Sequence, residues 1–268
     1  MHPMMNIAIR AARAGGRVLT QHMDRVESIK VDSKGLNDFV TEVDFLTERE
    51  IVSTLSRSYP EHGFIAEESG ETGNPDAEFK WYIDPLDGTK NFIHGYPSFC
   101  VSIAAAQHGK VEQAVIYNPV SQELFTATRG GGATLDGKRL RVGKRNGLEE
   151  ALLGTGYDFN GKTDYPAYLK TQRRFTALSS GIRSQGSAAL DLAYVAAGRL
   201  DGFWEYDLKP WDIAAGALLV REAGGLVGDM SGEEGWFESG NLVAASPRVF
   251  GAMIHTIKSS KVFDINLN

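Results

Sequence analysis

The segment Trp81–Phe92, WYIDPLDGTKNF, sets two aspartates, Asp84 and Asp87, around Pro85 directly after the apolar run Trp81-Tyr82-Ile83. Two more acidic residues fall at the ends of expected elements: Glu67 follows the run Gly63–Ala66, and Asp212 opens an apolar helical stretch after Trp211. Taken singly, each has a structural explanation. Asp212 suits a helix N-cap, Asp87-Gly88 a turn, and Glu67-Glu68 a solvated loop. Taken together they are hard oxygen donors of the kind that hold Mg²⁺, which takes one or two carboxylates beside waters and phosphate oxygens. Pro85 restricts the backbone so that Asp84 and Asp87 can converge and the Leu86 carbonyl can face the same point. Gly88-Thr89 then starts a helix whose first N–H groups suit phosphate oxygens. The pattern points to metal-assisted phosphoryl transfer to water.

Rival chemistries find less support. The six histidines show no pairing at zinc-ligand spacing, and Cys100 is the sole cysteine, set in the apolar run Phe99-Cys100-Val101 as inert filling. Gly130-Gly131-Gly132 lacks the Lys-Ser/Thr of a P-loop, Gly154-Thr155-Gly156 is a lone glycine pair, and no Gly-x-Ser-x-Gly elbow occurs. With 28 Lys and Arg against 34 Asp and Glu, the net charge of −6 argues against a nucleic-acid surface over the whole molecule. An anionic substrate would therefore need a metal or helix N-termini to receive it.

The elements that must position these residues follow from periodicity and turn chemistry. A helix is expected from Pro3 to about His22, followed by an extended arm or mobile loop around Lys34-Gly35. Thr41 caps a second helix with an apolar face of Leu46, Ile51, Val52 and Leu55, and Tyr59-Pro60 ends it. Strands follow at Gly63–Ala66 and Trp81–Ile83, the second stopped by Pro85, with a polar loop between them. From Ser98 to Val142, turn signals such as His108-Gly109 and Asp136-Gly137 separate antiparallel strands. Beyond Ala151, strands alternate with helices near Tyr165–Ala177, in GSAALDLAYVAAG, in DIAAGALLVREAGG and in PRVFGAMIHTI. The sum is an antiparallel sheet in an N-terminal half, residues 1–150, and a mixed sheet in a C-terminal half, residues 151–268, each covered by helices. No stretch reaches the roughly 20 apolar residues that span a bilayer. The N-terminus also lacks the apolar core of a signal peptide, so the chain is expected in the cytoplasm.

The blocks EESG with Glu67, WYIDPLDGTKNF, and LKPWDIAAGALLVREAGG with Asp212 resemble the signature motifs of the inositol monophosphatase family, and the likeness runs from NDFVTEVD to the final helix. MHPMMNIAIRAAR and GSAALDLAYVAAGRLDGF are most similar to bacterial inositol-1-monophosphatases, some of which also serve as transcription antitermination factors that associate with RNA polymerase. The resemblance implies an α+β fold, the layered αβαβα sandwich of the sugar-phosphatase type shared with fructose bisphosphatase, usually a homodimer. It implies a Mg²⁺-dependent, lithium-sensitive phosphatase acting on inositol 1-phosphate and related small monoesters. By the same resemblance Glu67, Asp84 and the Leu86 carbonyl hold one metal, and Asp84, Asp87 and Asp212 a second. Asp44 stands beside Thr89 to orient the attacking water with Glu67 as base, and Gly88 and Thr89 meet the phosphate. Gly186, Ser187 and Ala188, with Arg183 and Glu205, line the sugar side. The chain departs from the family pattern at Lys90, where a second threonine is usual; relatives acting on adenosine bisphosphates and histidinol phosphate share that lysine, so a nucleotide such as 3′-phosphoadenosine 5′-phosphate is an alternative substrate.

Overall fold

The computed structural model describes residues 3–28, 31–35, 38–157 and 165–262. One sheet of eight strands runs, edge to edge, through Lys138–Arg139, Gly132–Leu135, Glu123–Thr128, Lys110–Asn118, Cys100–Gln107, Phe79–Asp87, Gly63–Ala66 and Gly70–Gly73. Its pairs are antiparallel except for Gly63–Ala66 against Phe79–Asp87. A second sheet of five strands has the order Gly181–Arg183, Leu152–Thr155, Gly202–Glu205, Leu242–Ala245, Leu226–Gly228, with its first three strands parallel.

Three apolar layers separate and cover the sheets. The helices Pro3–His22 and Glu42–Ser56 pack on each other and on the outer face of the large sheet. Met4, Met5, Ala8, Ala11, Ala12 and Leu19 supply the buried face of the first, at the spacing of one side of a helix. Helices Ala188–Ala196 and Pro210–Glu222 lie between the two sheets, and Tyr165–Leu178 with Pro247–Val262 covers the small one. The result is the αβαβα sandwich, an α+β fold. The middle helices are apolar nearly all round because both their sides are covered, and they approach closely: a Cβ at Gly216 would stand 2.5 Å from the Leu192 side chain. Strand Cys100–Gln107 shows no polar alternation for the same reason, being buried on both faces up to Ala106.

Of the two readings around Lys34-Gly35 the extended arm holds, as the strand Val31–Gly35 paired antiparallel with Asp38–Thr41; two other expectations change. The polar loop after Ala66 begins with an edge strand, Gly70–Gly73, its backbone recruited by the open side of Gly63–Ala66. Most consequentially, Pro85 does not stop its strand, which continues from Phe79 to Asp87. A proline is tolerated in a ladder where the pairing is already irregular, and the register slips between Asp84 and Asp87.

The large sheet's lower corner carries an aromatic group with a titratable member. His62 stacks between Tyr59 and Phe79, at ring-centroid distances of 4.7 and 5.1 Å, and its Nδ1 accepts from Trp81 Nε1 at 3.0 Å. Burial lowers its pKa from the ordinary 6.5, with Glu78 pulling partly the other way. Below about pH 6.5 the unfolded chain therefore takes up a proton that the folded chain resists, and stability declines as pH falls. The melting temperature should drop more steeply between about pH 8 and pH 5 for the wild type than for His62→Gln, which keeps an acceptor for Trp81 but cannot titrate. Parallel curves for the two proteins would contradict this.

Candidate active site

The site is assembled where strand ends of both sheets meet the N-termini of the middle helices. Asp84 and Asp87 lie opposite Ser102 and Cys100, so three steps on one strand face two on its partner. This is a β-bulge, and Pro85 sits inside it, where its missing N–H costs the ladder nothing. Asp84 is 2% exposed, and its Oδ1 accepts from Leu86 N at 2.9 Å, which closes the bulge. Glu67 follows the neighbouring parallel strand and donates its own N–H to Ile83 O at 3.1 Å.

Beyond the bulge Gly88 adopts φ +100°, a left-handed turn in which a Cβ would meet Ser98 O at 2.9 Å. The short helix Thr89–Ile93 starts there. Thr89 Oγ1 lies 3.2 Å from Asp44 Oδ1 and 3.1 Å from Leu86 O and donates its proton to these acceptors. Asp44 is fully buried in the first turn of Glu42–Ser56, where its Oδ2 accepts from Thr41 N at 2.9 Å and Thr41 Oγ1 at 2.6 Å. Asp87 reaches the start of a middle helix: its Oδ2 accepts from Ser187 Oγ and from Ala189 N, both at 2.7 Å, capping the helix Ala188–Ala196. Asp212 is the third residue of Pro210–Glu222 and still caps it, its Oδ2 accepting back from the N-cap Lys209 N at 2.7 Å.

Glu67, Asp84, Asp87, Thr89, Glu205 and Asp212 wall one pocket of about 500 Å³, together with Leu86, Gly88, Gly186, Ser187 and Ala188. Asp44 stands behind the wall and acts through Thr89. Arg183, the last residue of the edge strand Gly181–Arg183, is not among the residues that line this pocket, and its Nη1 donates to the carbonyl of Ile182 at 3.0 Å. Two residues of the site have structural roles that their place in the sequence does not give. Asn91 Nδ2 lies 2.6 Å from both Ser98 O and Gln185 O, tying the Thr89 helix to the loop of the other sheet. Asp191, buried in the pocket wall, accepts from Gln185 Nε2 at 2.9 Å; an acid inside an apolar helix pattern was the one clue to it.

Negative charge dominates the electrostatics. Burial, then the charges of Glu67, Asp87 and Asp212, holds the Asp84 carboxyl well above the usual carboxylate range. Asp212 is pushed well up by burial and then by Asp87, with Lys209 N–H and Lys209 charge giving partial relief. Burial, Asp87 and Asp84 likewise push the Cys100 thiol well up, so it persists as S–H. A proton or a cation relieves such crowding, and an all-oxygen donor set suits a hard divalent ion. Among the described residues no three His, Cys, Asp or Glu side chains already grip one point.

A five-layer α+β sandwich with an acid-walled pocket between its two sheets defines the sugar-phosphatase type of fold. The chain belongs to the inositol monophosphatase family, whose model matches residues 1–261. It is 50% identical over 262 residues to the Nus factor SuhB of Pseudomonas aeruginosa, with 96% of this chain and 97% of that protein covered. The crystal structure of extragenic suppressor protein suhB from Bartonella henselae is similar at TM-score 0.93 and 44% identity, covering 96% of this chain and 99% of that one. An inositol monophosphatase from Anabaena is similar at TM-score 0.84 and 36% identity over 95% of each chain. Membership supports a phosphatase or SuhB-type function.

The Asn91 bridge makes a stability test. Asn91→Asp keeps the size but sets carboxylate oxygens against carbonyl oxygens that now receive N–H groups. A loss of about 2–4 kcal/mol in denaturant unfolding is expected. A loss under about 0.5 kcal/mol, the size of an ordinary surface change, would show that the bridge carries no weight.

Proposed function

We propose that this protein is a Mg²⁺-dependent phosphatase that hydrolyses inositol 1-phosphate and related small phosphate monoesters. The observation that carries this is the set of Glu67, Asp87 and Asp212 lining one pocket with Thr89 and crowding their charges on the buried Asp84. Glu67, Asp84 and the Leu86 carbonyl would hold one ion, and Asp84, Asp87 and Asp212 a second. Bound there, Mg²⁺ supplies acidity to water and counter-charge to the phosphate and the departing alkoxide.

The chain's own groups do the rest. Asp44 receives the Thr89 hydroxyl proton in a hydrogen bond, which leaves the Thr89 oxygen lone pairs to accept from a water. Glu67, which lines the same pocket, accepts the proton that this water gives up on attacking phosphorus. The first amides of the helix at Gly88-Thr89 have no intrahelical acceptors and donate to phosphate oxygens. Glu205 accepts from polyol hydroxyls, and Gly186, Ser187 and Ala188 shape the wall around the ring. No covalent phosphoenzyme forms, because the nucleophile is water.

Phosphate release from inositol 1-phosphate should need Mg²⁺, stop with a chelator, and fall about 100-fold or more in Asp87→Asn. Undiminished release in the presence of chelator would exclude the mechanism. Lys90 lines the same pocket and is the feature that favours 3′-phosphoadenosine 5′-phosphate as an alternative; a large kinetic preference for inositol 1-phosphate, measured side by side, would remove it.

A second activity is supported by the near-full-length identity of 50% to a protein named as a Nus factor. On this reading the chain also joins a transcription antitermination complex with RNA polymerase, as a homodimer. RNA polymerase should be captured equally by wild type and Asp87→Asn, and light scattering should give twice the chain mass. No capture under any salt condition would count against the complex, and a single-chain mass against the dimer.

A further inference from the structure

Glu48 is a buried acid that the proposed chemistry does not use. It is 4% exposed, on the inner face of the helix Glu42–Ser56, and no metal or substrate role falls to it. Its two oxygens are both engaged: Oε2 accepts from Glu68 N at 2.8 Å and Oε1 from Ser69 N at 2.9 Å. Those are the two residues directly after Glu67. Two consecutive backbone N–H groups converging on one carboxylate form an anion nest, which fixes both the loop and the acid.

The placement is economical in geometry. Residues 67–69 connect the antiparallel strands Gly63–Ala66 and Gly70–Gly73, with Gly70 in the left-handed region at φ +70°. The strand side of this turn is held by the sheet, through Glu67 N to Ile83 O. Its far side is held by Glu48. A side chain from within the turn could have satisfied these amides locally, as Asp and Ser do in many turns. Here the acceptor comes instead from a helix 20 residues away, at a cost in burying a carboxylate.

That helix carries Asp44 one turn earlier. Positions four apart lie on the same face, about 6 Å along the axis. Asp44 holds Thr89, and Glu48 holds the loop of Glu67. One rigid helix face thus fixes the two groups between which the attacking water is proposed to sit. We infer that Glu48 is a positioning residue that sets the distance between Glu67 and Thr89. This rests on the phosphatase reading above, in which Glu67 is the base.

Glu48→Gln keeps the shape but turns an NH₂ toward a backbone N–H, so one of the two bonds is lost. With saturating Mg²⁺, kcat is expected to fall between about 10- and 100-fold, while KM for inositol 1-phosphate stays within about threefold. The Mg²⁺ concentration for half-maximal rate should rise. Ile51→Val, which trims the buried face of the same helix, should leave kcat unchanged, separating loss of position from loss of stability. In a Glu67→Gln background, Glu48→Gln should cost nothing further, because it acts through Glu67. An unchanged kcat in Glu48→Gln, or full additivity with Glu67→Gln, would overturn the inference. Full activity of Glu67→Gln alone would instead overturn the reading on which it rests. If Glu48→Gln does not fold, Glu48→Asp keeps the charge but draws it back by one methylene from both amides; an unchanged kcat there overturns the inference equally.

Discussion

Like charges held together inside a protein are the constraint on which this structure turns. Asp84 is almost fully buried, and the charges of Glu67, Asp87 and Asp212 all raise the cost of ionising it. Left to themselves these side chains would separate or take up protons. They are held instead by neutral donors from the backbone and hydroxyls: Leu86 N for Asp84, Ser187 Oγ and Ala189 N for Asp87, and Lys209 N for Asp212. Each of those donors is itself fixed by a bulge or by the first turn of a helix.

The two middle helices serve this purpose twice. Ala188–Ala196 and Pro210–Glu222 both begin at the pocket, so the positive ends of their dipoles face the acids. Their lengths are then buried between the sheets, which leaves them no freedom to shift. Apolar packing in the Leu192–Gly216 contact and the cores on either side is therefore what holds the charged site together. Repulsion at one end of these helices is offset by hydrophobic burial along the rest of them.

Helix Glu42–Ser56 adds the third support, from outside the large sheet. Asp44 and Glu48 look like ordinary acids on an amphipathic helix, yet both are buried and both hold residues far away in the chain. Asp44 was found through its resemblance to a motif and not through its spacing. Glu48 had no signal beyond interrupting an apolar face, since its partners are backbone amides, which leave no trace in residue identity. Asn91 lies inside WYIDPLDGTKNF, but its bridge leaves no trace there, because an amide that joins carbonyls reads in one dimension like any other polar residue.

What the amino-acid order determined by itself was most of the helices, the central strands and the local chemistry of WYIDPLDGTKNF: periodicity, caps, turns and a proline between two acids are all short-range properties. The same order identified the acids at Glu67 and Asp212 as ends of elements, since each abuts an apolar run. Tertiary structure alone decided that Pro85 lies within a bulge and not at a strand's end, because the register slip depends on the partner strand Cys100–Gln107. And it alone brought Asp87 to Ser187 and Ala189, a hundred residues away, since contacts of that range arise only when the layers close on one another.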